Sequence, residues 1–487
     1  MNLVRLALLT LVIMMFIPSM LWGQCWWNQQ LCDLNGINFN PSGSSTRAKG
    51  MGNAYMAIAD DATGVTWNPA GAAFIKDDQG TVEFLTNATK LENTNSTSAT
   101  NSFDYNTNNN IFSSFGYMSP IRFSHRDFTI GVNYYRIYDF SKDYSINMPN
   151  RQEDYYMKFG VEVVKFTAAT QVVSNISFGF NGNIYIRGFT EDFIQREPTQ
   201  NWIIGNDTVS VPWHLKNKVS FSGANFDFGL QGRFGGLSIG AVVSTPFKIR
   251  QESNLLAAQV VPHYGEQGAI FNNHMKIEIP IGIGGGLAYN ANKFTVSADL
   301  WTQKFSESRH TIHPFFSDPY YTENYDPSIP NVDYNPYWQD ITQYRFGAEY
   351  LLQISNIIVP IRLGYRNDPK VFSDEDRVLL NIYNQPLLVL PKGYSATPRG
   401  SATSYETNYL DQVVGSIISF GTGLEYRKYK LDIAYEFGSS EQNVTSYIID
   451  VRDFEDDQFV YGDLLETREE IVKEKTSKLY ISVSMMF

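Results

Sequence analysis

Lys430–Phe437 reads KLDIAYEF. In an extended chain Leu431, Ile433, Tyr435 and Phe437 fall on one side, and Asp432, Ala434 and Glu436 on the other. The same period of two recurs upstream. Phe294–Trp301 opposes Phe294, Val296, Ala298 and Leu300 to Thr295, Ser297 and Asp299. Tyr344–Tyr350 opposes Tyr344, Phe346, Ala348 and Tyr350 to Arg345, Gly347 and Glu349. In Ile361–Arg366, Ile361, Leu363 and Tyr365 oppose Arg362, Gly364 and Arg366. The polar faces carry charge in mid-strand. In a soluble sandwich such faces would see bulk water, whereas in a membrane barrel they face the lumen and the apolar faces meet lipid.

Three features favour the barrel. Val219–Phe234, Lys276–Tyr289 and Met157–Gln171 exceed the ~5–6 residues of an ordinary strand and meet the ~9–11 that a tilted membrane strand needs. Connections alternate in length. Tight turns fall at Ser124-His125-Arg126, Ser174-Asn175, Gly235-Gly236, Asn290-Ala291-Asn292, Ser355-Asn356 and Arg427-Lys428. Long links fall at Thr89–Asn110, Phe140–Tyr156, Gly188–Lys218, Arg250–His274, Ser306–Ile341, Asn367–Gln412 and Gly438–Ser477. Six turns and seven loops join fourteen strands. Finally, Leu479, Ile481, Val483, Met485 and the terminal Phe487 share one face. A terminal aromatic on such a strand resembles the signal read by the outer-membrane barrel assembly machinery.

Composition agrees. The chain has 33 Phe and 30 Tyr against 12 Met, which favours strands over helices. A net charge of −12 argues against nucleic acid as a partner. Residues 1–23 read as a signal peptide, with Arg5 ahead of the apolar Leu6–Ile17 and a break at Pro18-Ser19. Cys25 and Cys32 of the exported chain are expected to form a disulfide. No metal site, cofactor motif or catalytic constellation is expected, so the chain reads as a non-enzyme.

Backbone groups in lipid must be paired within the protein, so the sheet over residues 79–487 closes. A barrel of about fourteen strands encloses a lumen its own side chains cannot fill. The segment left over is 24–78. Within it, Ser42–Phe74 reads SGSSTRAKGMGNAYMAIADDATGVTWNPAGAAF, with Asp60-Asp61 and Asn68-Pro69 as two helix starts.

Arg47 followed by Gly50-Met51-Gly52 and Ala54, Ala57–Ala62, and Trp67-Asn68-Pro69-Ala70-Gly71 resemble the N-terminal region of the FadL/TodX family of outer-membrane transporters for hydrophobic compounds. The resemblance implies an all-β, monomeric transmembrane barrel with a small helical hatch in its lumen. It also implies passive, hatch-gated uptake of fatty-acid-like or aromatic molecules, with lateral release into the outer membrane beneath lipopolysaccharide. Asn68, Pro69, Ala70, Asp60, Asp61 and Arg47 are then the gating candidates. Arg345, Glu349, Arg362, Glu425, Asp432 and Glu436 form the expected lumen ladder that holds the hatch. Asn335–Trp338 and Pro319–Tyr321 offer aromatic groups for an outer collection surface or lid. The alternative is a FadL-like scaffold or shuttle serving a type IX-type protein secretion system.

Overall fold

The computed structural model describes residues 39–95, 103–123, 126–148, 151–196, 201–204, 207–210, 212–261, 265–312, 332–382, 385–387, 408–455 and 458–487. Cys25, Cys32, the signal peptide, Ser124, His125 and Pro319–Tyr321 lie outside them. Fourteen antiparallel strands close into a barrel. The first, Gln79–Asn95, pairs with Phe103–Phe123 on one side and with the last, Gln458–Met486, on the other. The remaining strands follow in chain order, each beside its predecessor, from Arg126–Asp139 and Arg151–Val173 round to Tyr429–Glu455. Closure pairs the strands all round the wall, as a sheet in lipid requires, apart from one stretch beyond Ser114↔Tyr135 where the second and third strands part.

The polarity is the reverse of a soluble protein's. On Ile341–Ile354 and Ile357–Ile382, the outward Phe346 and Leu363 are 51% and 53% exposed, while the inward Arg345 and Arg362 are 0% and 5% exposed. Outward Phe84, Phe166, Leu230, Leu300, Phe420 and Val483 continue the apolar belt round the wall. Inward Glu83, Asn133, Asn181, Gln231, Asp299, Ser419 and Glu436 are buried. Such an exterior is stable only against hydrocarbon, and such an interior only where polar partners meet it.

The tight turns fall at one end of the barrel. The strands on either side of Ser174-Asn175, Gly235-Gly236, Ser355-Asn356 and Arg427-Lys428 stop where expected, and the turn read at Asn290–Asn292 lies one residue later, at Asn292-Lys293. The long links differ from expectation. Most are strand, not loop: Tyr429–Glu455 and Gln458–Met486 run 27 and 29 residues, and Phe247–Val261 and Gly265–Ile279 fill the link read at 250–274. Beyond the lipid belt neither face needs to be apolar, so alternation fades while the backbone ladder continues.

Midway up, several strands bend. Phe159 and Arg187 take positive φ values of 82° and 69°, and a second ladder begins above them. The strands also break between Ser244 and Phe247 and between Ile279 and Gly282. The inner face of this upper sheet carries a buried aromatic core that includes Tyr138, Phe140, Phe189, Phe221, Phe305 and Trp338. Phe39 enters it, with its ring 4.8 Å from Trp338 and 5.3 Å from Tyr138. Trp338, in a stretch read as an outer aromatic surface, is therefore interior packing.

Phe346→Arg places a charge in the apolar belt and is expected to cost about 2–4 kcal/mol. Urea unfolding in vesicles checks this, and an unchanged midpoint would mean that the residue does not face lipid.

Candidate functional site

Residues 39–78 run through the lumen as short turns. Thr46–Gly50 forms one α-helical turn, which the sequence reading missed because five residues leave no periodicity to detect. Ser45 caps it, accepting from the Ala48 amide. Asp61 Oδ1 accepts from the amides of Thr63 and Gly64 at 2.9 and 2.6 Å, ahead of the 3₁₀ turn Gly64–Thr66. Asn68 caps the 3₁₀ helix Pro69–Phe74 with Pro69 at its first position, as the Asn-Pro pair predicts.

Such irregular backbone leaves many N–H and C=O groups without internal partners, and the inward side chains of the wall supply them. Asp299 Oδ2 accepts from the Tyr55 and Met56 amides at 2.7 and 2.9 Å. Gln231 donates to the carbonyls of Ala57 and Ile58, Ser297 to Ala54, Asn133 to Ala62, Asn181 to Val65 and Ser177 to Ala70. Asn68 reaches outward, donating through Nδ2 to Met56 O at 2.8 Å and to Leu230 O of the wall at 3.0 Å. Contact is backbone to backbone at Gly364, where a Cβ would stand 1.9 Å from the Gly52 nitrogen. At Gly284 and Gly286 the missing side chains leave room for Met56.

Charge fixes the segment a second time. Glu349 accepts from Arg47 Nε and NH2 at 2.9 and 2.6 Å and from Arg362 Nε at 2.6 Å. Arg47 NH1 continues to Asp60 at 2.7 Å, and Arg362 NH1 to Asp432 at 2.6 Å. The result is a chain of alternating charge, Asp60–Arg47–Glu349–Arg362–Asp432, that crosses from the segment into three wall strands. Burial alone would raise the Asp60 carboxyl, but Arg47, Arg233 and Lys430 together outweigh it and hold Asp60 below the usual carboxylate range. Tyr55 ties the two aspartates together, its hydroxyl 3.0 Å from Asp60 Oδ1 and 2.7 Å from Asp61 Oδ2.

Of the expected ladder, Glu349, Arg362 and Asp432 belong to this chain, and Glu436 pairs beside it with Arg366 at 2.6 Å. Arg345 is fully buried without joining the chain. Its Nε donates to Gln343, its NH2 to Pro41 O, and its guanidinium lies 5.0 Å from the Trp67 ring. Glu425 stands apart, paired with Lys430 at 3.1 Å beside the Arg427-Lys428 turn and one-third exposed. Glu83, Asp299 and Lys49 were not singled out from sequence. Glu83 is held by Thr46 at 2.7 Å and Ser113 at 3.0 Å. Its place on the inner face of Gln79–Asn95 was the available signal.

Above the segment, against the aromatic core, lies a cavity of about 450 Å³, with Tyr138 and Phe140 of that core in its wall. Leu85, Ile111, Ile137 and Val413 line it together with Lys49, Arg366 and Lys478. Its wall has a seam. The second and third strands pair from Phe123↔Arg126 up to Ser114↔Tyr135. Beyond that point Phe103–Ser113 is paired only with the first strand, and Arg136–Asp139 only with the fourth, among the described residues. Residues 136–141 line the cavity at this place.

Neither a protein-family model nor a curated protein sequence matches the chain. Solved structures share its fold. A FadL homologue of Pseudomonas aeruginosa superposes with a TM-score of 0.58 at 10% identity, over 92% of this chain and 99% of that one. The Pseudomonas putida toluene transporter TodX does so with a TM-score of 0.51 at 13% identity, over 91% and 99%. The FadL/TodX barrel expected from the sequence is thus the fold observed.

Two variants probe the seating of the segment. Arg47→Met leaves Glu349 with one arginine and is expected to cost about 1–3 kcal/mol locally. Amide exchange across 46–62 should then rise at least tenfold while the barrel keeps its heat-modifiable mobility, and unchanged protection would show that the ion chain does not hold the segment. Gly364→Val drives a side chain into the Gly52 backbone and should expose 46–62 in the same assay, whereas full tolerance would contradict the close approach.

Proposed function

We propose that this protein is an outer-membrane channel for passive uptake of hydrophobic molecules, in which the N-terminal segment acts as a hatch. The observation that carries the reading is the way the segment is held. It is irregular, short-turned and fixed by side-chain hydrogen bonds and one ion chain, so it can shift without unfolding a helix or breaking the wall. Side-chain contacts of this kind cost little each to exchange for water.

Lateral release is part of the same proposal. The unpaired stretch between Phe103–Ser113 and Arg136–Asp139 supports an exit from the cavity into the bilayer, flanked outside by Phe112 and Tyr134, whose rings lie 5.9 Å apart. An apolar solute gains ~0.8 kcal/mol per CH₂ on entering hydrocarbon, so a sideways path needs no other driving force. The toluene transporter TodX, with the same fold, lends the reading weight. Asn68-Pro69-Ala70 and the Asp60–Arg47 pair are gate elements here and carry no chemistry.

A second reading, a scaffold for secreted proteins, draws on the tall hairpin of Tyr429–Glu455 and Gln458–Met486. The two readings separate in one experiment on the full chain. Deleting residues 24–74, or replacing Asn68-Pro69-Ala70 by Ser-Gly-Ser, is expected to alter apolar uptake several-fold in cells while the barrel still assembles. Unchanged uptake in a strain lacking the protein, with a stoichiometric secreted partner in native-membrane pull-downs, would reject the channel in favour of the scaffold.

A further inference from the structure

Four neighbouring strands bring a row of cations and hydroxyls to the outside of the barrel. Ser222 of Trp213–Phe234 lies opposite Arg250, Arg250 opposite Lys276, and Lys276 opposite Thr311 of His310–Ile312. The alternate residues Phe221, Ile249 and Ile277 are buried in the aromatic core, so the row points away from the lumen. Ser222, Arg250 and Lys276 are exposed. Arg250 and Lys276 thus face each other directly across one strand pair. In that position Cβ atoms stand about 5 Å apart and like charges destabilise the sheet.

The acids nearby do not cancel this. Glu252 lies one row further out, opposite Ser220 and His274. Glu278 lies one row nearer the lipid belt, opposite Lys248, and accepts from the Arg309 amide at 3.3 Å. Asp333, beyond Thr311, accepts from its hydroxyl at 3.2 Å. Among the described residues, no carboxylate closes to 4.0 Å on Arg250 or Lys276. On this face Lys218, Lys248, Arg250 and Lys276 outnumber Glu252 and Glu278, in a chain whose net charge is −12.

Below the row the same outward face becomes apolar. Phe226, Phe228 and Leu230 follow Ser222 down its strand, Ile281 and Ile283 follow Lys276, and all five are exposed. Phe226 is four residues from Ser222, about 13 Å of strand and less in height because membrane strands tilt. Hydrocarbon therefore ends just beneath the cations, where lipid headgroups begin. Lysine and arginine at such a boundary lift their charges into water. That habit accounts for single cations, but it does not set two of them opposite each other.

We propose that Arg250 and Lys276 hold a phosphate group of lipid A, the phosphorylated glycolipid of the outer leaflet, whose acyl chains then lie along Phe226, Phe228 and Ile281. A phosphate monoester carries nearly two negative charges. It takes a forked pair of hydrogen bonds from a guanidinium and a further one from an ammonium. Between the two side chains it turns their repulsion into attraction. A soluble anion would meet the cations but leave the apolar face to other lipids. The proposal requires that this end of the barrel faces outward, and it holds whatever the lumen passes.

Binding of fluorescently labelled lipid A to the full chain is measured in mild detergent, on variants that keep the heat-modifiable mobility of a folded barrel. Arg250→Gln and Lys276→Gln are each expected to weaken it several-fold, and Arg250→Lys to keep most of it. Arg122→Gln, an exposed cation at the tight-turn end, should leave it unchanged. Without lipid A, Arg250→Gln relieves repulsion and should unfold at no lower urea concentration than the parent. Lipid A stripped of its phosphates binding as tightly, or lipid A binding equally to both Gln variants and the parent, overturns the proposal. An equal loss in Arg122→Gln also overturns it, since net charge alone would then be at work. So does displacement of the lipid by an equal concentration of inorganic phosphate, because the apolar face would then contribute nothing. A lower urea midpoint for Arg250→Gln without lipid A would show that the protein itself satisfies this arginine, and would equally reject the site.

Discussion

A backbone amide in hydrocarbon has no water to turn to, and that constraint organises this molecule twice. On the wall it forces every strand to find two neighbours, and the first and last strands meet along Gln79–Asn95 and Gln458–Met486. In the lumen it returns in another form. Residues 39–78 cross the interior as turns too short to pair their own backbone, so Asp299, Ser297, Gln231, Asn133, Asn181 and Ser177 do it for them. The polar inner face of the strands is therefore the second half of the segment's hydrogen bonding. Barrel and segment are each incomplete without the other.

Buried charge follows the same logic. An isolated ion in a low-dielectric interior costs several kcal/mol even after relaxation, so ions persist there when each has a partner. Glu349, shared by Arg47 and Arg362, meets that condition with short and partly bidentate contacts. Burial pulls the Lys49 ammonium down to about 8 against the opposing pull of Glu436 and Glu83. The Asp60–Arg47–Glu349–Arg362–Asp432 chain is closed within the protein and holds a position. Lys49 lines the cavity above the segment.

Much of this was legible in the sequence, and the reason is the period. Alternation in Tyr344–Tyr350, Ile361–Arg366 and Lys430–Phe437 shows because lipid demands an apolar residue at every second position, and those faces are the ones observed. Tight turns were legible because Gly, Asn and Ser mark them. The tall strands above the belt were read as loops because water on both sides imposes no pattern. Asn68-Pro69 announced its helix start through its own chemistry. The turn at Thr46–Gly50 was too short to announce itself, and Glu425 looked like a lumen residue because alternation continues into the hairpin, where burial ends. The roles of Glu83, Asp299 and Lys49 depend on partners hundreds of residues away or across the lumen, and no local pattern encodes those.

The central claim is that the segment closes the lumen and must shift for a solute to pass. A Cβ at Gly50 would stand 3.4 Å from the Cβ of Arg362 on the wall, so cysteines at these two positions, with Cys25 and Cys32 changed to serine, can tie the segment to the wall. Flux of an apolar solute that the reduced protein passes is then compared before and after oxidation in vesicles. The account predicts that the oxidised protein stops passing solute and that reduction restores it. Equal flux through the locked and unlocked forms would contradict it.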